Sequence, residues 1–381
     1  MRRRLLLLAA LLSMPLISFP QYKPWYNFYN FAYGAKARAM GNAFTAVADD
    51  LTAAFWNPAG LAGLRDPIFY LGYKTSHQNH DYDLQRDPLD RDPRLYSFRF
   101  TSHLNQIDYF SVSAPVAIWR RPCTFALGFY RYIPYGFKGA AEAVLTDTGL
   151  DVTSEVLSQT FTGSEGFDVL AFSFAAGLSD YFAVGVTLQE FFNSGALYVQ
   201  TDDQGSDLHN DVTEKLRGRN LIVGALFTPF SWLRLGAAWH AGLDGDLEAN
   251  RFAWEIDSSG NRSEPIESSS QARVTIPESY AVGLLLTPVG WLDLSADYAL
   301  IEWDKGFIEG YFGAGRLPYP QMDAWIKAQK QMRNLRFGLA ARLPLRRVQV
   351  ELRAGYARDN QLYADQLDRP VLIKGYSLGV G

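Results

Sequence analysis

The residues best able to do chemistry in this chain are few. His77-Gln78-Asn79-His80-Asp81, with Asp83 just beyond, sets imidazoles and carboxylates close enough to offer ligands to a metal ion. On so polar a stretch these groups are ordinarily solvated, and the reading is that no metal is held. His103 or His240 beside a serine would suit ester hydrolysis, but no spacing supports it. No phosphate-binding glycine loop or H-E-x-x-H helix occurs. Nothing points to an enzyme or to a cofactor. Cys123 is the single cysteine, which excludes an internal disulfide and any two-cysteine redox motif. A net charge of −4, from 36 basic and 40 acidic residues, leaves no basic surface for nucleic acid.

Other charged residues are more informative because they recur at every second position. In 290–304, Asp293, Ser295 and Asp297 alternate with Leu292, Leu294, Ala296, Tyr298 and Leu300. In 333–344, Arg336, Gly338, Ala340 and Arg342 oppose Leu335, Phe337, Leu339, Ala341 and Leu343. In 347–358, Gln349, Glu351 and Arg353 oppose Val348, Val350, Leu352, Ala354 and Tyr356. Successive strand side chains point to opposite faces, so each run has one apolar face and one charged face. Runs near 67–76, 106–117, 122–135, 166–178, 181–200, 217–229, 231–243, 272–287, 290–304, 333–344, 347–358 and 373–381 predict twelve strands.

A soluble sandwich would show the same alternation. Strand length argues against it, since these runs exceed the ~5–6 residues usual in soluble sheets. The connections also alternate. Short turns such as Thr228-Pro229-Phe230-Ser231-Trp232 and Thr287-Pro288-Val289-Gly290-Trp291 are followed by long loops at 77–105, 136–165, 201–216, 244–271, 305–332 and 359–372. Short inner turns and long outer loops mark a transmembrane antiparallel β-barrel, with tryptophan at the inner interface. The 14% aromatic content, with 21 Tyr and 25 Phe, suits the aromatic girdles of such a barrel.

Compartment follows from the N-terminus. Arg2, Arg3 and Arg4 precede an apolar run from Leu5 to Ile17, shorter than the ~20 residues of a spanning helix. The pattern is a secretory signal peptide over 1–20. The remainder divides into 21–64 and a barrel over 65–381.

Residues 34–64 do not alternate. They are rich in Ala and Gly and suit short helices and turns small enough to pack inside a barrel lumen. Asp49 and Asp50 can cap the turn at Leu51–Phe55, and Asn57-Pro58-Ala59 forces a turn, since the residue before Pro is held out of the helical region. This segment resembles the N-terminal hatch of the FadL/TodX family of outer-membrane transporters, in its Gly/Ala-rich stretch, acidic turn and Asn57-Pro58-Ala59. Ile276-Pro277-Glu278-Ser279-Tyr280, Asp297-Tyr298 through Trp303, Leu352-Arg353-Ala354-Gly355-Tyr356 and Tyr376-Ser377-Leu378-Gly379 are also similar to that family. The resemblance spans roughly 34–381.

It implies an outer-membrane barrel of the fourteen-stranded type with a helical plug in its lumen. Its partners would be the lipid bilayer, the barrel assembly machinery and a hydrophobic small molecule such as a long-chain fatty acid, and it would act as a monomer. Passage would be passive, by plug movement and sideways exit through the wall. A second implied role is that of a protein partner in secretion. The last strand stops at Gly381 without a terminal aromatic, so two further strands are expected, with 67–76 and 373–381 unpaired to each other.

Ligand contacts are expected from two apolar loop stretches. One carries Val144, Leu145, Val156, Leu157 and Phe161. The other carries Phe307, Ile308, Tyr311, Phe312, Trp325 and Ile326. Apolar groups on outer loops need something to cover them, and a capture groove would do so. Arg234, Asp293, Asp297, Arg336, Arg342, Glu351 and Arg353 should line the lumen. There they form a paired network, or Arg336 and Arg353 hold a ligand carboxylate in bidentate fashion.

Overall fold

The computed structural model describes residues 33–84, 94–134, 136–147, 152–203, 206–313, 317–318, 331–345, 348–364 and 370–381. Residues 1–20, expected to be a signal peptide, and Trp325 and Ile326 lie outside them. The strands are β1 (Phe69–Leu84), β2 (Arg94–Ile118), β3 (Arg121–Pro134), β4 (Phe137–Asp147), β5 (Val152–Gly177) and β6 (Phe182–Phe192). They continue with β7 (Ser194–Asp203), β8 (Ser206–Phe230), β9 (Leu233–His240), β10 (Leu243–Ile256), β11 (Ile266–Ile276) and β12 (Ser279–Val289). The last are β13 (Leu292–Ile301), β14 (Phe307–Glu309), β15 (Leu317–Pro318), β16 (Met332–Leu345), β17 (Val348–Ala364) and β18 (Pro370–Val380).

Every pairing is antiparallel, and several strands are two parts of one longer stave. β2 pairs with both β3 and β4. β8 pairs with β6 and β7 on one side and with β9 and β10 on the other. β11 and β12 likewise continue one another beside β10 and β9. Among the described residues this makes twelve staves, in the chain order expected from the alternating runs. Among the described residues, β1 pairs only with β2, and β18 only with β17.

β8 shows how the wall is divided. Its outward side chains from the inner turn upward are Phe227, Ala225, Val223 and Leu221, and then Arg219, Arg217, Lys215, Thr213 and Asp211. At ~3.3 Å per residue and a tilt near 40°, Leu221 to Phe230 covers roughly 20–25 Å, the height of a barrel's lipid-facing band. Trp119, Trp232 and Trp291 stand exposed at its inner edge. Arg219 with Glu190 (2.6 Å), and Trp239 with Glu278 (3.0 Å), mark the outer edge.

Above that edge the polarity reverses. Along β10, Leu243, Gly245, Leu247 and Ala249 are buried inside while Asp244, Asp246, Glu248 and Asn250 face out. The wall therefore rises past the lipid as a sleeve, wet outside and lined within by mainly apolar residues, with Asn210, Glu214 and Arg251 among them. Much of 77–105, 136–165, 201–216, 244–271 and 359–372, expected as loop, is this sleeve: Val144 and Leu145 lie on β4, and Val156, Leu157 and Phe161 on β5. The correction has a simple cause, since backbone groups in a tall wall pair with neighbouring strands and need no solvating loop.

Candidate functional site

The N-terminal segment lies against the inner face of the wall. It forms helix α1 (Ala35–Ala39), helix α2 (Ala53–Trp56) and a 3-10 turn (Pro58–Gly63). Asp50 accepts from the Thr52 N–H at 2.8 Å at the start of α2, and Asp49 pairs with Lys36 at 2.7 Å. Burial pushes the Asp50 carboxyl above the usual carboxylate range, against the Thr52 hydrogen bonds that favour its charge. Asn57 is extended (φ −162°), as the following Pro58 requires. Its fully buried amide donates to Thr45 O (2.8 Å) and to Ala225 O of β8 (3.0 Å), and its Oδ1 accepts from Ala59 N–H (3.2 Å). One side chain thus joins the segment to itself and to the wall.

The wall meets the segment through glycine. Gly185 faces Gly224 across β6 and β8, Gly236 faces Gly283 across β9 and β12, and Gly338 faces Gly355 across β16 and β17. A Cβ at Gly185 would come within 2.3 Å of the Pro58 carbonyl carbon, and one at Gly355 within 1.9 Å of Gly41 N. Backbone lies directly on backbone at these places, which only a residue without Cβ permits. Asp297 on β13 accepts from Phe44 N–H (2.8 Å) and Thr45 N–H (2.7 Å). Ion pairs complete the attachment: Arg38 to Asp108 (2.6 Å) and Lys36 to Glu351 (3.7 Å).

An aromatic layer covers the segment on its outer side. The Trp56 indole N–H donates to Tyr33 O at 3.0 Å, and the Tyr33 hydroxyl donates to Arg131 O of β3 at 3.0 Å. Tyr33 packs on Phe55 and Tyr130, with ring centroids 4.7 and 4.6 Å apart, and Tyr109 stacks on Tyr130 at 5.4 Å. Above it the inner face of the sleeve is lined by Leu197, Val199, Leu216, Leu247, Val274 and Ile308, all buried in one cluster with the aromatic layer.

The expected ligand residues divide. Phe161 and Ile308, from the two stretches expected to form a groove, join that one buried cluster. Tyr311 packs against it and Phe312 touches Tyr311 (4.8 Å). Phe307 pairs with Thr275 of β11. Arg336 forms two hydrogen bonds to Asp359 (3.1 and 3.3 Å) and lies over the Trp56 ring, while Arg353 binds Glu351 at 2.7 Å. Both already hold protein carboxylates. Arg342 pairs with Asp293, and Arg234 donates to Val47 O at 3.3 Å.

Sequence reasoning missed Arg251. It lies on β10 opposite the buried Val212, on the inner face of the sleeve. Its Nε donates to Asn210 Oδ1 at 2.8 Å, and its Nη2 is buried without a hydrogen-bond partner among the described residues. The Tyr311 hydroxyl, nearby on the same wall, donates to Glu214 at 2.5 Å. The signal was an arginine in phase with Leu247, Ala249 and Ala253, hidden by reading 244–271 as loop.

A family described as outer membrane protein transport protein (OMPP1/FadL/TodX) matches residues 29–364. Among solved structures, the toluene transporter TbuX of Ralstonia pickettii superposes with a TM-score of 0.57 at 16% identity, covering 92% of this chain and 90% of that one. The toluene transporter TodX of Pseudomonas putida gives 0.56 at 15% identity, covering 92% and 88%. The monoaromatic hydrocarbon channel CymD gives 0.51 at 13% identity, covering 91% and 87%. These likenesses are of fold. Comparison with curated proteins found no match.

Proposed function

The chain belongs to the outer membrane protein transport protein (OMPP1/FadL/TodX) family, and on that premise we propose that it admits a hydrophobic compound bearing one hydrogen-bond-accepting head. The compound enters the sleeve, rests on the aromatic layer, and leaves when the N-terminal segment moves aside. The observation that carries this reading is the apolar inner face of a wall that stands beyond the lipid band. Burying apolar surface there gains roughly 25 cal/mol per Å², so such a ligand is drawn out of water before it reaches the membrane. Arg251 supports the polar head, since a buried unpartnered donor is satisfied by an acceptor on the ligand.

Exit through the wall is supported at one place. The ladder between β4 and β5 stops at Lys138↔Thr162, and that between β3 and β5 resumes at Pro134↔Gly166. Among the described residues, 163–165 of β5 thus pair with β7 alone. An opening here lies in the sleeve, beyond the edge marked by Arg219 and Glu190, and lets an apolar molecule slip sideways onto the outer surface of the membrane.

The test is equilibrium binding to detergent-purified protein, followed by tryptophan fluorescence, with a long-chain carboxylic acid and the alkane of equal length. The reading predicts that the acid binds more tightly and that Arg251→Met removes the difference. Equal binding of both by the wild type contradicts the polar head. Binding of neither contradicts the site.

A further inference from the structure

A pair of histidines on the outer wall is independent of the lumen. His77 of β1 and His103 of β2 are direct cross-strand partners. Both are exposed, and their Nδ1 atoms lie 2.9 Å apart. They face outward, on the second rung beyond Tyr73 and Ile107, exposed apolar residues of the lipid-facing band, with Thr75↔Asn105 between. The pair therefore stands just outside the membrane, open to the external medium.

As neutral imidazoles the two rings share one hydrogen bond, and the tautomer decides which nitrogen donates. The ring centroids are 4.1 Å apart and the planes differ by 38°, so the rings lie partly over one another. A cation in front of both nitrogens satisfies both lone pairs. With metal–nitrogen bonds of ~2.05 Å, nitrogens 2.9 Å apart subtend about 90° at the ion. That is the cis angle of a square-planar or tetragonal centre, which copper(II) adopts and tetrahedral zinc does not. The χ2 torsion of histidine is broad, so a modest turn of either ring brings the two lone pairs to one point.

We propose that His77 and His103 form a surface copper(II) site that clips β1 to β2 above the outer edge of the membrane. Among the described residues no third histidine, cysteine or carboxylate joins them. Water completes the coordination, as in an open site. The site differs from the local His77–His80–Asp81 grouping suggested by spacing. Its second ligand comes instead from the neighbouring strand.

The experiment uses the full chain without an affinity tag, folded in detergent micelles and titrated with copper(II) at neutral pH. Binding is read by calorimetry and by electron paramagnetic resonance. The site predicts one saturable ion whose spectrum carries hyperfine splitting from two imidazole nitrogens. It is lost in His77→Ala and in His103→Ala and retained in His209→Ala. Heat-modifiable gel mobility reports that each variant is folded. An absence of saturable binding, a spectrum with one nitrogen, or binding unchanged in His103→Ala would overturn the proposal.

Discussion

Gly283 and Asp297 are direct partners across β12 and β13, and the absence of a side chain at one makes room for the carboxylate of the other. A Cβ at 283 would lie 2.5 Å from Asp297 Oδ1 and 2.8 Å from Ala46 N. Oδ2 of the same carboxylate takes the Phe44 and Thr45 N–H groups. A wall glycine, a wall carboxylate and two backbone amides of the N-terminal segment thus form one joint.

That joint gives the first prediction. Asp297→Ala should loosen the segment by about 2–3 kcal/mol, the cost of losing hydrogen bonds to a charged group, while the barrel still assembles. Hydrogen exchange at the Phe44 and Thr45 amides should quicken, with the β13–β16 ladder unaffected. Protection unchanged at both amides would show that the carboxylate is incidental.

The boundary between lipid band and sleeve gives the second. Leu294 faces out within the band and Asp246 faces out above it. Leu294→Arg should impair assembly, at a cost of roughly 2–4 kcal/mol near the membrane midplane. Asp246→Lys should change stability by no more than about 0.5 kcal/mol. Equal tolerance of both in a folding assay by gel mobility would mean that the membrane has been placed at the wrong height.

A third prediction concerns the segment as a closure. Deleting 34–64 removes the backbone that rests on the glycine positions of the wall. The remaining barrel should conduct ions in planar bilayers with larger and steadier currents than the intact chain, and retain bound ligand poorly. Identical conductance before and after the deletion would show that the segment does not close the lumen.

The staves within the lipid band were legible in the residues because their two faces differ in a familiar sense, with Asp293, Asp297 and Arg336 inward and Leu294, Phe337 and Leu352 outward. The sleeve was not, although Leu243-Asp244-Gly245-Asp246-Leu247-Glu248-Ala249 alternates just as regularly. Its sign is inverted because water lies outside it, and a charged stretch with the wrong face apolar reads as loop. The turn at Asn57-Pro58 was readable from local geometry alone. The glycine contacts were not, since a strand glycine has no meaning until register shows what approaches it: Gly185 and Pro58 are remote in sequence and touch only through the folded wall. The shared cluster of Phe161 and Ile308 depends in the same way on the barrel's curvature.

The central claim is that the apolar sleeve passes a hydrophobic compound through the outer membrane. Its most direct test is uptake of a labelled long-chain acid and of labelled toluene by cells lacking their own transporter of this kind. Cells would carry the wild-type chain, the Leu216→Asp chain, or neither, with equal barrel levels confirmed at the cell surface. Leu216 is buried in the sleeve and does not face lipid, so the substitution spares the membrane surface while placing a charge in the ligand's path. The account predicts faster uptake of at least the acid with the wild type, and a rate indistinguishable from empty cells with Leu216→Asp. Uptake of both compounds at the empty-cell rate with the wild type, or undiminished uptake with Leu216→Asp, would contradict it.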